Sequence, residues 1–280
     1  MKNVLVTTDF SPASESAIRF AIHWAEHQEL VLTFLNVHHI PRPSNLDDKY
    51  FAEYEKTELE SARSKLDAFI SDMYSENGTA LSDFSTLVLP GLDVDVSLLY
   101  YLEKNPGFDC ICISTRGAGK FKKFLGTNAG NLITKSEIPV LAVPANYKVT
   151  DISSVLYATD LVNLERELPK VIDFAKPLKA KIEMLHFSWP NEILFDEKLI
   201  SESLKNRFGY EFDLHFEKND AIHSLIQQLN IQISQKTPSM VIMFTNHNRN
   251  FFQRLFLSSK SEEFSFVTTV PLLVFNKTTK

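Results

Sequence analysis

Glycine is scarce in this sequence, with only eight in 280 residues. Gly78, Gly91, Gly107, Gly117, Gly119, Gly126 and Gly130 fall in the first half, and Gly209 stands alone in the second. A backbone that must close on a phosphate favours glycine, so only the first half has the means to build such a loop. Cysteine is rarer still. Cys110 and Cys112 alternate with apolar residues in Phe108-Asp109-Cys110-Ile111-Cys112-Ile113, the pattern of a buried strand. That argues against a disulfide framework and places the protein in the cytosol. Both cysteines point to one face of such a strand, which keeps metal binding or oxidation as the minor alternative. No apolar run approaches the roughly 18 residues of a membrane span. Met1–Val6 also meets Thr7, Thr8 and Asp9 too soon to hold a signal-peptide core, so no membrane association is expected. Basic excess is missing: 29 Lys+Arg stand against 35 Asp+Glu, a net charge of −6. Nucleic acid, which requires a basic face, is therefore not an expected partner. What remains is an ordinary globular composition, 44% apolar and 23% charged, at a length that suits two domains or one large one.

The chain repeats itself. Val4-Leu5-Val6-Thr7-Thr8-Asp9-Phe10 is echoed by Val155-Leu156-Tyr157-Ala158-Thr159-Asp160-Leu161. Leu35-Asn36-Val37-His38 is echoed by Leu185-His186-Phe187-Ser188, and Ile138-Pro139-Val140-Leu141 by Val270-Pro271-Leu272-Leu273. Landmarks in the same order imply two homologous domains, 1–147 and 152–280, with extra sequence between Ile40 and Ser82 in the first. In the first half, short β-rich runs at Val4–Thr8, Val31–Val37, Asp83–Leu89, Asp109–Ser114 and Val140–Val143 alternate with helical patterns. The helices fall near Ala13–His27, Tyr50–Tyr74, Val94–Lys104 and Ala129–Lys135. Ser11 suits a helix cap and Pro12 a first helical position. Runs that are apolar almost throughout fit a parallel sheet covered on both faces, so the fold class is α/β, doubly wound. Ligands in such sheets sit at the C-terminal strand ends, here Thr7–Asp9, Val37–His39, Pro90–Gly91 and Ser114–Gly119.

Four of the first-half glycines cluster in Ser114-Thr115-Arg116-Gly117-Ala118-Gly119-Lys120-Phe121-Lys122-Lys123-Phe124-Leu125-Gly126-Thr127-Asn128-Ala129-Gly130, after a strand and before a helix. Gly126-Thr127 opens that helix, where unpaired N–H groups and the dipole favour an anion. Arg116, Lys120, Lys122 and Lys123 add local positive charge. The alternative is a solvated glycine turn with basic ends.

The order Thr-Thr-Asp-Phe-Ser, then Asn36-Val37, a glycine loop, Gly-Thr and a closing Pro-Val-Leu-Ala-Val strand resembles the universal stress protein family. The resemblance covers both halves, so the chain looks like a tandem member. It implies two five-stranded parallel sheets, each ordered 3-2-1-4-5, with helices on both faces. It also implies an internal pseudo-dimer through the final strands, with a homodimer still allowed. Some members bind ATP through Gly-x-x-Gly, nine residues, then Gly-Ser or Gly-Thr. On that pattern Gly117 is the second glycine and Gly126-Thr127 the closing pair. Asp9, after Thr7 and Thr8, lies beside ribose, phosphate or metal, and Val37 meets adenine. Gly119 and Asn128 line the phosphates, and Arg116 or Lys120 supplies charge. Ser114 stands where the first glycine is expected, and eight residues rather than nine separate Gly117 from Gly126. In the second half the matching stretch, from Phe244 through Asn246, His247, Phe251 and Phe252 to Ser258-Ser259, contains no glycine. The second domain is therefore expected to have lost its site.

Three further features stand out in the sequence. His23-Trp24-Ala25-Glu26-His27 matches His-x-x-Glu-His, a zinc-protease pattern, but no third ligand is evident and the pattern is short. His38-His39 is a loop pair or a contact to base or ribose. The segment Asp47–Tyr74 is most simply a long solvent-facing helix. No nucleophile–base pair and no convincing general base occurs, so an enzyme is not expected; weak ATP hydrolysis is the most the resemblance allows. The expected function is a cytosolic stress-response protein that binds ATP or another adenine nucleotide in the first domain, with Mg2+ as the accompanying ion, and acts on an unidentified protein partner through its surfaces. The alternative is a nucleotide-free interaction protein with both sites decayed.

Overall fold

The computed structural model describes residues 1–42, 44, 47–79, 83–115, 127–188, 196–220, 222–245 and 269–276. They form two compact units that change over at Val149–Thr150. The first unit runs β1 (Asn3–Thr7), α1 (Pro12–His27), β2 (Val31–His38), α2 (Asp48–Glu76), β3 (Phe84–Pro90), α3 (Val94–Lys104), β4 (Cys110–Thr115), α4 (Thr127–Lys135) and β5 (Val140–Pro144). All its strand pairs are parallel, in the order β3-β2-β1-β4-β5. The chain winds outward from β1 to β3, then crosses back to β4 and β5. Right-handed crossovers therefore place α1 and α2 on one face and α3 and α4 on the other. The packing agrees, with α1 against α2 and α3 against α4.

The second unit runs β6 (Ser154–Ala158), α5 (Leu164–Leu178), β7 (Lys181–Ser188), α6 (Glu197–Phe208), β8 (Phe212–Lys218), α7 (Leu225–Lys236), β9 (Met240–Thr245) and β10 (Leu272–Asn276). Its pairs are also all parallel, ordered β8-β7-β6-β9-β10. Each unit thus has the doubly wound 3-2-1-4-5 sheet. In the first unit the expected strands are displaced by no more than one residue at either end, and the helices by no more than two.

The unbroken apolar runs are the central strands. Val4, Leu5 and Val6 of β1 are fully buried, as are Cys110, Ile111 and Cys112 of β4. The first strand of the second unit repeats this with Val155, Leu156 and Tyr157. Both cysteines are free, and burial pushes the Cys110 thiol up to about 12 and the Cys112 thiol well above its ordinary value. Both side chains are fully buried in the centre of the sheet, where they pack as core residues.

α2 departs from the expected solvent-facing helix. Its second half buries Ala62, Leu66, Ile70, Met73 and Tyr74, a stripe at helical spacing. Tyr74 stacks on Phe84 of β3 at 5.6 Å, and Phe34 of β2 meets Phe84 edge-on at 5.7 Å. The first half of α2, before Ala62, buries no residue, and there the sequence reading holds.

The turn from β1 into α1 fixes where that helix starts. Ser11 is in extended conformation, and its Oγ accepts from the Ser14 N–H at 3.3 Å; Pro12 follows, where a missing N–H costs nothing. Ser11→Ala should therefore destabilise the first unit by about 1 kcal/mol. This would appear as a lower urea midpoint at unchanged slope; an unchanged midpoint would show that the cap contributes nothing.

Candidate functional site

The C-terminal edge of the first unit is organised by a residue that has left-handed backbone without being glycine. Phe10 has φ 60°, and Leu161, its counterpart in the second unit, has φ 63°. A side chain in this region costs roughly 1–2 kcal/mol. Two short hydrogen-bond hooks hold the turn. The Phe10 N–H donates to Thr8 Oγ1 at 3.1 Å, and the Ser11 N–H donates to Asp9 Oδ1 at 3.1 Å. In the second unit the Leu161 N–H donates to Thr159 Oγ1 and the Val162 N–H to Asp160 Oδ1, each at 3.0 Å. The repeated Thr-Asp pair is thus a turn lock, with each side chain receiving the N–H two residues on.

The lock is tied to the neighbouring strand. The Thr8 N–H donates to the Leu35 carbonyl and Asn36 Nδ2 donates to the Thr8 carbonyl, both at 2.8 Å. The second unit puts the His186 ring in the place of the Asn36 amide, its Nδ1–H donating to the Thr159 carbonyl at 3.0 Å. Asn36 is only 4% exposed, and its Oδ1 is a buried acceptor without a hydrogen-bond partner among the described residues. Leaving such an acceptor unpaired costs about 1–3 kcal/mol.

The last paired residues of β1 and β2 are Thr7 and Leu35, so β2 runs on past β1 through Asn36, Val37 and His38. A cleft of about 310 Å3 opens there, lined by Asp9, Phe10, Asn36, Val37, His38, Glu58, Ser61, Ala62 and Lys65. Its volume lies at the lower end of small-molecule sites, roughly 300–1,000 Å3. The far wall belongs to α2. Lys65 Nζ lies 4.6 Å from the centre of the Phe10 ring, and that ring meets Phe69 edge-on at 5.3 Å. The left-handed turn therefore aims Phe10 at α2, and Lys65 joins Asp9 in lining the cleft.

Asp9 stays ionised. Partial burial alone would raise its carboxyl, but hydrogen bonds from the Ser11 hydroxyl and N–H, with a further one from Ser14, outweigh that and hold it below the ordinary value.

Asp9 and Val37, two of the residues singled out in sequence, share the cleft. Thr7 and Thr8 are buried, and Thr8 acts through the turn. Thr127 opens α4, and Asn128, half-buried in that helix, is not part of the cleft lining. Asn131 Nδ2 donates to the buried Asp95 Oδ2 at 2.9 Å, tying α4 to α3. Arg116, Gly117, Gly119, Lys120 and Gly126 lie outside the described residues, as do Asn246, His247, Phe251, Ser258 and Ser259 of the second half. Sequence reasoning missed Phe10, Lys65, Glu58 and the Asn36 side chain as wall residues. Phe10 and Asn36 carried a signal, each as part of a repeated landmark, whereas Lys65 and Glu58 carried none.

The model of the universal stress protein family matches residues 1–144. The chain belongs to the universal stress protein family. Among curated proteins nothing matches it. Among solved structures, a universal stress protein from Archaeoglobus fulgidus DSM 4304 is 17% identical, covering 99% of this chain and 98% of its own, with a TM-score of 0.73. A functionally unknown protein from Pseudomonas aeruginosa PAO1 is 13% identical, covering 99% and 92%, with a TM-score of 0.59. At these identities the likeness is one of fold. The matched family residues span all five strands of the first sheet of this universal stress protein.

The depressed Asp9 carboxyl has a pH consequence. Its stabilising contribution is present above its unfolded value and is lost as pH falls through the lower folded value. Asp9→Asn removes this contribution, so its melting temperature should fall less than the parent's on acidification from about pH 6 to about pH 3. Equal falls would show that Asp9 titrates alike in both states.

Proposed function

We propose that the first unit binds an adenine nucleotide, ATP or a relative of it, at the C-terminal edge of its sheet, and that the protein serves a stress response through binding surfaces and not through catalysis. The observation that carries this reading is the cleft that unites Asp9 and Val37 where β2 outruns β1. A strand that continues past its neighbour presents backbone N–H and C=O groups to a base edge. Asp9, already held as an anion by Ser11, is an acceptor for ribose hydroxyls or a ligand for a phosphate-bound Mg2+. The cleft fits a base and sugar by volume. On this reading the phosphates fall to the Gly117–Asn128 segment, with Arg116 or Lys120 supplying charge and Gly126-Thr127 opening α4. A helix N-terminus favours an anion. The second half has no glycine in the matching stretch, which disfavours a comparable cradle there.

Calorimetry on three proteins tests this. The parent should bind ATP, ADP or AMP. Gly126→Val should abolish binding, because a β-branched side chain intrudes where backbone must meet phosphate, whereas Ser258→Val should leave affinity unchanged. No binding by the parent at millimolar nucleotide would replace this reading with that of a nucleotide-free interaction protein. Equal loss in both variants would show that the site is in the wrong half.

A further inference from the structure

The other end of α1 carries a separate set of donor groups. The helix is 16 residues long, so its last turn lies roughly 20 Å from the cleft, at the opposite edge of the sheet. His23, Glu26 and His27 stand at i, i+3 and i+4, on one helix face. The two imidazole rings meet at 4.7 Å, and one donor atom from each of the three residues lies within 4.8 Å of the other two.

The surroundings orient these groups. His27 Nδ1 lies 3.0 Å from the His23 carbonyl oxygen, which can only accept, so Nδ1 carries the proton and Nε2 is the ring's acceptor nitrogen. A histidine that donates one N–H to a backbone carbonyl while the other nitrogen binds is a recurrent arrangement of metal ligands. The Glu26 carboxylate is held on both sides. Its Oε1 accepts from the Thr79 hydroxyl at 2.8 Å, and its Oε2 lies 3.2 Å from His23 Nδ1. The field favours a cation: the site is at the negative end of the α1 dipole, and Glu29 lines the adjoining hollow of about 580 Å3 together with Glu26 and His27.

We propose that His23, Glu26 and His27 form a binding site for one divalent transition-metal ion of the Zn2+ class. Two imidazoles and one carboxylate suit Zn2+, Ni2+ or Cu2+, whereas Mg2+ and Ca2+ take oxygen sets. Tetrahedral Zn2+ with ligands at about 2.0–2.2 Å needs donors about 3.4 Å apart. The donors, within 4.8 Å of one another, must close by up to about 1.4 Å to reach that spacing, and Glu26 and His27, both exposed, can do so by side-chain rotation. The zinc-protease pattern assigns its glutamate to the base and looks elsewhere for a third ligand. Here Glu26 is itself the third donor, and the hollow leaves the remaining position to water.

The test titrates the full-length protein, stripped with chelator, with zinc sulfate in a calorimeter at neutral pH. The parent should take up one equivalent through this site. His27→Ala should weaken that binding by at least about tenfold, since loss even of groups behind metal ligands costs 10–100-fold. His223→Ala, which disrupts a different histidine–carboxylate pair, should leave it unchanged. Zinc should raise the melting temperature of the parent and not that of His27→Ala. Should His27→Ala fold poorly, Glu26→Gln carries the same comparison. No zinc uptake by the parent, or equal affinity in the parent and the ligand variant, would overturn the proposal. Nucleotide binding does not enter this test.

Discussion

The C-terminal sheet edge of each unit depends on one backbone constraint: the chain must leave its first strand, reverse, and enter a helix through a left-handed residue that is not glycine. Phe10 and Leu161 occupy that position, and the preceding Thr and Asp hold it by accepting the two N–H groups that the turn exposes. The Thr8 hydroxyl also meets the Ser14 hydroxyl at 2.8 Å inside α1, so the hook and the helix cap form one connected unit. Because the position carries a side chain, the turn also builds a wall. Phe10 reaches α2, packs on Phe69 and lies under Lys65. A glycine there would have eased the backbone and left the cleft without this side.

Much of this was legible in the residues, for reasons that differ by element. The strands were readable because a parallel sheet covered on both faces needs near-continuous apolar runs, and Val4–Val6 and Cys110–Ile113 are such runs. The start of α1 was readable because capping is local chemistry, confined to Ser11 and its neighbours. Thr8-Asp9 was visible as a repeated landmark, but its task was not: a side chain accepting an N–H two residues on leaves no mark in composition. The α2 wall was harder still. Which stripe of a mixed, charged helix turns inward is decided by β2 and β3, some distance away in the chain, so the burial of Leu66 and Ile70 and the reach of Lys65 toward Phe10 emerge only from tertiary packing. The His-x-x-Glu-His pattern shows the reverse case. It was plain in the sequence, but its meaning turned on whether Thr79 and the His23 carbonyl would orient the donors.

The two units keep the same turn and differ in what surrounds it. Both tie the first strand to the second through an N–H donor to the threonine carbonyl, an amide from Asn36 in one and a ring from His186 in the other. The amide leaves a buried acceptor beside an open cleft, while the ring lies edge-on against Phe216 at 5.8 Å. The glycines that a phosphate loop requires are confined to the first half. On the proposed reading, one unit keeps the groups a nucleotide needs and the other keeps the architecture.

The most direct measurement is the nucleotide content of the protein after gentle purification, identified and quantified by mass spectrometry. Binding in the first unit alone predicts an adenine nucleotide at no more than one equivalent per chain, absent from protein carrying Gly126→Val. Protein that holds no nucleotide and takes up none of added ATP, ADP or AMP would contradict it.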